Sequence, residues 1–312
     1  MINGHLQTII PAKFLRIPKI GYRRERWITP DNDFIDLDYI DAVETAPLIV
    51  LFHGLEGSSK SHYARTLMSE VQKRGWAGVV VHFRSCSGQP NNAPRFYHSG
   101  DSAEIDWILH RIRQQNPQRT LFVCGVSLGG NALLRWLGES QQQANFVQAA
   151  TAISAPLDLT QGGLALGNGV NLMYTSRFLR TLKQKCVEKL TQYPGLFDQK
   201  KMLAAKNLYE FDNIVTAPLH GYKNTEDYWH RASARHILVD ITVPTLVLNA
   251  KNDPFLPGRH LPKNASVSVT LDYPEHGGHV GFVSGWSANT EWLPKRILHF
   301  FNQHLPTRIS AV

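Results

Sequence analysis

Short, unbroken apolar runs punctuate this 312-residue chain. Leu48-Ile49-Val50-Leu51-Phe52, Gly78-Val79-Val80-Val81 and Leu121-Phe122-Val123-Cys124 contain no polar alternation, and Thr245-Leu246-Val247-Leu248 is similar. Runs of this kind suit strands buried on both faces, as in a parallel sheet. Residues 146–154 and 267–271 predict two more strands. Between the runs the period lengthens to that of a helix. Residues 59–74, 101–115 and 129–138 read as helices, the second on Ile105, Ile108, Leu109 and Ile112. Gly75 and Pro117 end the first two, and a terminal helix is expected around 289–303. Two strands precede the series, at 22–29 and 34–40, with the turn Pro30-Asp31-Asn32-Asp33 between them. In the second, Phe34, Asp36 and Asp38 alternate with Ile35, Leu37 and Tyr39.

The strand–helix alternation predicts an α/β fold with a mostly parallel sheet covered on both faces. It stops at Pro156 and resumes after Arg235. The predicted organisation is therefore a core of residues 1–155 and 236–312, with a helical cap or lid over 156–235. Within the cap, Leu172, Phe178, Leu179, Leu182, Cys186 and Leu190 fall on one helical face, with Arg177 and Arg180 roughly opposite. Such a helix packs its apolar side on the core, or turns it towards acyl chains or an anionic lipid surface.

Composition narrows the class. Hydrophobic residues are 43% and charged residues 19%, which suits a folded globular chain. No apolar run approaches the roughly 20 residues of a membrane span. The N-terminus lacks the charged head and apolar run of a secretory signal. Three scattered cysteines, Cys86, Cys124 and Cys186, fit a reducing compartment, so the expected location is cytoplasmic. The net charge of +8 is concentrated. Residues 1–26 carry six basic residues against Glu25, and residues 171–190 carry five against Glu188. The remainder is close to neutral. No nucleic-acid module accompanies this charge, so the expected partner is an acidic substrate or the anionic inner face of a membrane, not nucleic acid.

The candidate chemistry lies at Gly125-Val126-Ser127-Leu128-Gly129, directly after one predicted strand and directly before a helix. A serine on so tight a strand-to-helix turn needs small neighbours, and it stands at a helix start that favours developing negative charge. Its hydroxyl needs a base, and the base needs an acid to fix its tautomer. Folds with this elbow place both on loops after later strands, in the order Ser, acid, His. Asp253 follows Ser127 by 126 residues and His279 follows Asp253 by 26. Asp240 lies at the wrong end of its strand, Asp272 lies in or at the end of one, and His276 rivals His279. The glycines around His279 favour it, and a His276–His279 metal pair lacks a third ligand. The oxyanion donors are expected to be the N–H groups of Leu128 and of Leu55, in His53-Gly54-Leu55-Glu56-Gly57. His53, Gly54 and Arg84 are candidates for lining the site; Arg84 could equally brace loops. No cofactor is expected.

These stretches, with Gly4-His5-Leu6-Gln7-Thr8, Arg84 to Gly88, Ala217-Pro218-Leu219-His220-Gly221-Tyr222 and His276 to Gly281, resemble the YheT-like family of α/β-hydrolases, which has eukaryotic relatives among the abhydrolase-domain proteins. The resemblance runs along essentially the whole chain. It departs at Ser85, where the family usually has glycine, and family members usually have residues before the His-Leu-Gln-Thr stretch, so a longer native N-terminus is expected. The resemblance implies an α/β-hydrolase fold and a serine carboxylic-ester hydrolase using Ser127, Asp253 and His279. Some relatives act on phospholipids, and others pass the acyl group to an alcohol. Acyl transfer is thus the alternative chemistry, and a non-catalytic binding protein a minor one. Acyl length and oligomeric state are not legible.

Overall fold

The computed structural model describes residues 3–283 and 290–306. It gathers the apolar runs into one eight-stranded sheet of order β1-β2-β4-β3-β5-β6-β7-β8. The strands are β1 (Arg23–Ile28), β2 (Phe34–Ile40), β3 (Leu48–Phe52), β4 (Ala77–Val81), β5 (Leu121–Val126), β6 (Ala149–Ile153), β7 (Thr245–Leu248) and β8 (Val269–Asp272). β2 runs antiparallel to β1 and β4, and the pairings from β4 to β8 are parallel. Alternate residues of β3 serve two cores. Leu48, Val50 and Phe52 join Ile105, Leu109 and Leu133 on one face, while Ile49 and Leu51 join Leu67, Met68, Ile297 and Leu298 on the other. Burial on both faces is the physical reason these strands show no polar alternation.

Helices α2 (His62–Lys73), α3 (Ser102–Gln115), α4 (Leu128–Ser140) and α11 (Trp292–Gln303) supply the two cores beside the sheet, and α1 (Gly4–Lys13) precedes β1. Between β6 and β7 come α5 (Leu159–Leu166), α6 (Leu172–Gln192), α7 (Gln199–Ala204), α8 (Leu208–Phe211), α9 (Ala217–Leu219) and α10 (Thr225–Ala232). These helices have apolar clusters of their own, one around Leu179, Cys186, Met202 and Phe211 and another around Leu159, Tyr228 and Trp229. None of the described helices is long and apolar enough to cross a membrane.

Several expectations need correction. The polar face of β2 is buried: Asp36 and Asp38 are nearly inaccessible because Arg26 and Arg24, directly opposite on β1, each donate two hydrogen bonds to them. Much of the N-terminal basic surplus is therefore neutralised at the sheet edge. α2 starts at His62 rather than at 59. β8 starts at Val269 because Ser266 turns the chain before it, accepting from the Ser268 N–H, and leaves Val267 fully exposed. On α6, Leu172 faces solvent instead of the core, as do Arg177 and Arg180. Lys183 donates to the Leu203 and Ala205 carbonyls, and Lys189 is buried against the Asn91 carbonyl. The lysines of α6 are thus largely turned inward. Helix α1 was not anticipated. Asn3 caps it by accepting from the His5 N–H, and it buries Gln7 and Thr8 while exposing Leu6.

Candidate active site

The order β4-β3-β5-β6 reverses the chain's direction of growth between β3 and β5. A crevice at the carboxyl ends of strands is expected at such a switch point. Ser127 stands there, at the end of β5 and the start of α4, with φ +52 and ψ −121. A non-glycine residue in that region is strained by about 1–3 kcal/mol. The elbow is held by the Ser127 N–H to the Ile153 carbonyl, 2.8 Å, and by the Asn131 N–H to the Ser127 carbonyl, 3.0 Å. The flanking glycines are needed for close approach. A Cβ on Gly129 would lie 2.5 Å from the His53 carbonyl oxygen, and one on Gly125 would lie 2.5 Å from that of Gly129.

His279 Nε2 lies 2.9 Å from Ser127 Oγ, and its Nδ1 lies 2.9 Å from Asp253 Oδ2. With Nδ1–H donating to the carboxylate, Nε2 is left to accept the serine proton. Asp253 is almost fully buried, and its Oδ1 accepts from the Phe255 N–H at 2.7 Å. The Phe255 ring stacks on His279 with centroids 4.0 Å apart. His276 is exposed, its Nδ1 3.5 Å from Asn252 Nδ2. Asp272, the last residue of β8, accepts from Arg296.

In the loop after β3, the N–H of Gly54 donates to the Tyr63 hydroxyl, that of Glu56 to the Tyr97 hydroxyl and that of Gly57 to the Gly54 carbonyl. Among the described residues, neither the Leu55 N–H nor the Leu128 N–H has an acceptor. A free N–H at Leu128 follows from its place in the first turn of a helix. Gly54 lies against the serine: a Cβ there would be 3.0 Å from Ser127 Cβ and 3.5 Å from Oγ.

The other two lining candidates stand behind the site, not in its wall. His53 is fully buried, its Nδ1–H donating to the Gly54 carbonyl at 2.8 Å and its Nε2 accepting from the Phe83 N–H at 3.1 Å. Burial pushes its pKa down to about 3, so it serves as a neutral staple of the loop. Arg84 is buried among Asp31, Asp33 and Glu104, at 2.7–2.9 Å from each. Three carboxylates hold it away from the cavity as a brace. Ser85, with φ +61, occupies a left-handed position that suits glycine. It is clasped there by Asn91, whose N–H donates to Ser85 Oγ and whose Oδ1 accepts from the Ser85 N–H.

Ser127, Leu55, Leu128, Asp253 and His279 open onto a cavity whose empty space, open solvent included, is about 1140 Å³. Its wall is mainly apolar and includes Phe96, Leu159, Leu166, Phe178, Leu182, Phe211, Trp229 and Phe255. Several wall residues carry no motif and escaped the sequence reading. Lys185 of α6 donates to Glu56 Oε1 at 2.6 Å, and the Tyr97 hydroxyl donates to the same oxygen at 2.9 Å. The residue after Leu55 is thereby tied to α6. Only proximity in space reveals this, because Glu56 and Lys185 are 129 residues apart.

Residues 47–285 match the family model described as the alpha/beta hydrolase fold. The chain is 38% identical to YheT of Escherichia coli (strain K12), which bears an esterase name, over 98% of this chain and 92% of that one. It is 29% identical to phospholipase ABHD3 of Mus musculus, over 94% of this chain and 74% of the relative. The solved Pyrococcus furiosus esterase Pf2001 superposes with a TM-score of 0.60 at 15% identity, covering 94% of this chain and 99% of that one, a likeness of fold. Sheet order, elbow and sequence agree, and the chain belongs to the α/β-hydrolase family, among its YheT-like and abhydrolase-domain members.

Proposed function

We propose that the protein is a serine carboxylic-ester hydrolase of the esterase/lipase type, acting on short- to medium-chain acyl esters or acylglycerols. The reading is carried by one observation: the unbroken line Asp253–His279–Ser127, with 2.9 Å at each step, which meets the mainly apolar cavity at Ser127. His279 takes the Ser127 proton as Oγ attacks the acyl carbonyl. The N–H groups of Leu55 and Leu128 receive the oxyanion. His279 then protonates the leaving alcohol, and water repeats the sequence on the acyl-enzyme. Residues 156–235 act as the cap, and the apolar side chains it contributes suit an acyl chain better than a charged substrate. The phospholipase and esterase names of the relatives support the same substrate class.

Ser127→Ala should lower turnover of a nitrophenyl ester by about 10⁴–10⁶. Wild-type turnover by that variant would overturn the mechanism. A series of nitrophenyl esters from acetate to palmitate sets the acyl length, and product analysis with excess alcohol separates hydrolysis from acyl transfer.

A contact of the cap with anionic lipid at the inner membrane face is also supported. Leu164, Val170, Leu172 and Met173 are exposed in the α5–α6 region, beside exposed Arg177 and Arg180. Apolar side chains next to cations suit an interfacial helix.

A further inference from the structure

The Gly4-His5-Leu6-Gln7-Thr8 stretch has no place in the chemistry above, yet it touches the loop that carries the base. The Thr8 hydroxyl donates to the Gly4 carbonyl at 2.7 Å and accepts from the His279 backbone N–H at 2.9 Å. Gln7 Oε1 accepts from the Gly277 N–H at 2.8 Å and from Asn252 Nδ2 at 3.0 Å. Asn252, next to Asp253, accepts in turn from the N–H groups of Gly277 and Gly278. The two backbones lie so close that side chains are excluded. A Cβ on Gly281 would fall 1.8 Å from the Gln7 carbonyl oxygen, and one on Gly4 would fall 2.0 Å from that of Asn252.

The loop itself is under strain. Val280 and Phe282 have φ of +62 and +42. A β-branched residue in the left-handed region is an outlier, and such backbone persists only where its surroundings over-determine it. Part of the restraint comes from within the core: the Val280 N–H donates to Ser154 Oγ at 3.1 Å, and the Phe282 N–H to the Gly277 carbonyl at 2.8 Å. At Gly277 and His279, the restraint comes from α1.

Resting on the reading of His279 as the base, we infer that Gln7 and Thr8 are positioning residues for the reaction: α1 holds the strained 277–282 loop so that the imidazole stays in line between Asp253 and Ser127. They touch neither substrate nor reacting atoms. Their effect should therefore fall on kcat, since both His279 contacts must be kept to make the base effective.

The test compares Thr8→Val, which keeps the shape and removes the hydroxyl, with Thr8→Ser, which keeps the hydroxyl. Thr8→Val should lower kcat on nitrophenyl butyrate about 10- to 100-fold with KM within about twofold, and slow fluorophosphonate labelling of Ser127 in parallel. Thr8→Ser should restore most of both. Proton NMR supplies a readout independent of turnover. In the Ser127→Ala background, the downfield His279 Nδ1 proton, assigned by its loss in His279→Gln, should broaden or vanish with Thr8→Val and persist with Thr8→Ser. A folded Thr8→Val protein with wild-type kcat, labelling rate and proton signal would overturn the inference, as would a Thr8→Ser protein as impaired as Thr8→Val. Should Thr8→Val fail to fold, Gln7→Leu against Gln7→Glu asks the same question at Gly277. If the wild type neither turns over esters nor reacts with the probe, the ester-hydrolase reading fails, and the proton signal still decides the role of Thr8.

Discussion

Asp212 shows what a single carboxyl can do in this cavity. It belongs to a stretch of π-helix, Asp212–Thr216, and lines the wall. Its oxygens accept from the Thr216 hydroxyl at 2.6 Å and from Trp229 Nε1–H at 2.8 Å, with no cationic partner among the described residues. Burial raises its pKa to about 6, and the two hydrogen bonds only partly offset this. The folded protein therefore keeps a proton on Asp212 that the unfolded chain loses near pH 4. That stabilisation is complete below about pH 4 and is lost as pH rises through about 6. Asp212→Asn carries no ionisable proton, so its stability relative to wild type should grow by about 1–3 kcal/mol between pH 4 and 7.5. A melting-temperature difference that stays flat across that range would refute the assignment. At this scale the sequence was legible where a motif forced one local geometry. Ser127 had its elbow, and Asp253 and His279 had their loops and glycines. Gln7 and Thr8 were not legible in their role, because α1 inverts the usual rule, exposing Leu6 and burying its polar neighbours. Periodicity reads burial from hydrophobicity, so it passes over a helix whose buried face makes hydrogen bonds.

On α6 the amphipathic pattern holds apart from Leu172, with Arg177 and Arg180 exposed opposite the apolar face, and it is the lysines that depart from it. Leu179 and Cys186 are buried, and Phe178 and Leu182 face the cavity. The long stems of Lys183, Lys185 and Lys189 let their ammonium groups reach acceptors that sequence alone cannot place. Any lipid contact therefore rests on Arg177 and Arg180 and on the exposed apolar side chains before them. Arg177→Gln with Arg180→Gln should weaken sedimentation with phosphatidylglycerol vesicles about 30-fold and leave hydrolysis of a water-soluble ester unchanged, each cation contributing roughly 1 kcal/mol near such a surface. Equal sedimentation of variant and parent, or none by the parent, would remove the membrane from the proposal.

Across the whole molecule, the unbroken apolar runs made the sheet and its two cores legible, and the long gap between β6 and β7 marked the helical region. The contacts that join distant segments were hidden. Arg84 is the clearest case. Its guanidinium joins Asp31 and Asp33, in the turn between β1 and β2, to Glu104 on α3. Asp33, Glu104 and Arg84 itself are all buried. Arg84→Met would leave Asp33 and Glu104 in the interior without their counter-charge, at a cost of about 3–5 kcal/mol. The melting temperature should fall by on the order of 10 °C. A fall of less than one degree would show that the network contributes nothing net.

The contact between α1 and the His279 loop also has a consequence in time. Thr8 and His279 are 271 residues apart. At about 5–20 residues per second of synthesis, α1 leaves the ribosome roughly 15–50 s before the segment it braces. Ser127 and then Asp253 are made within that interval, Asp253 only 26 residues before His279. On the proposed reading of His279 as the base, the nascent chain has no base beside the serine until the loop after β8 emerges.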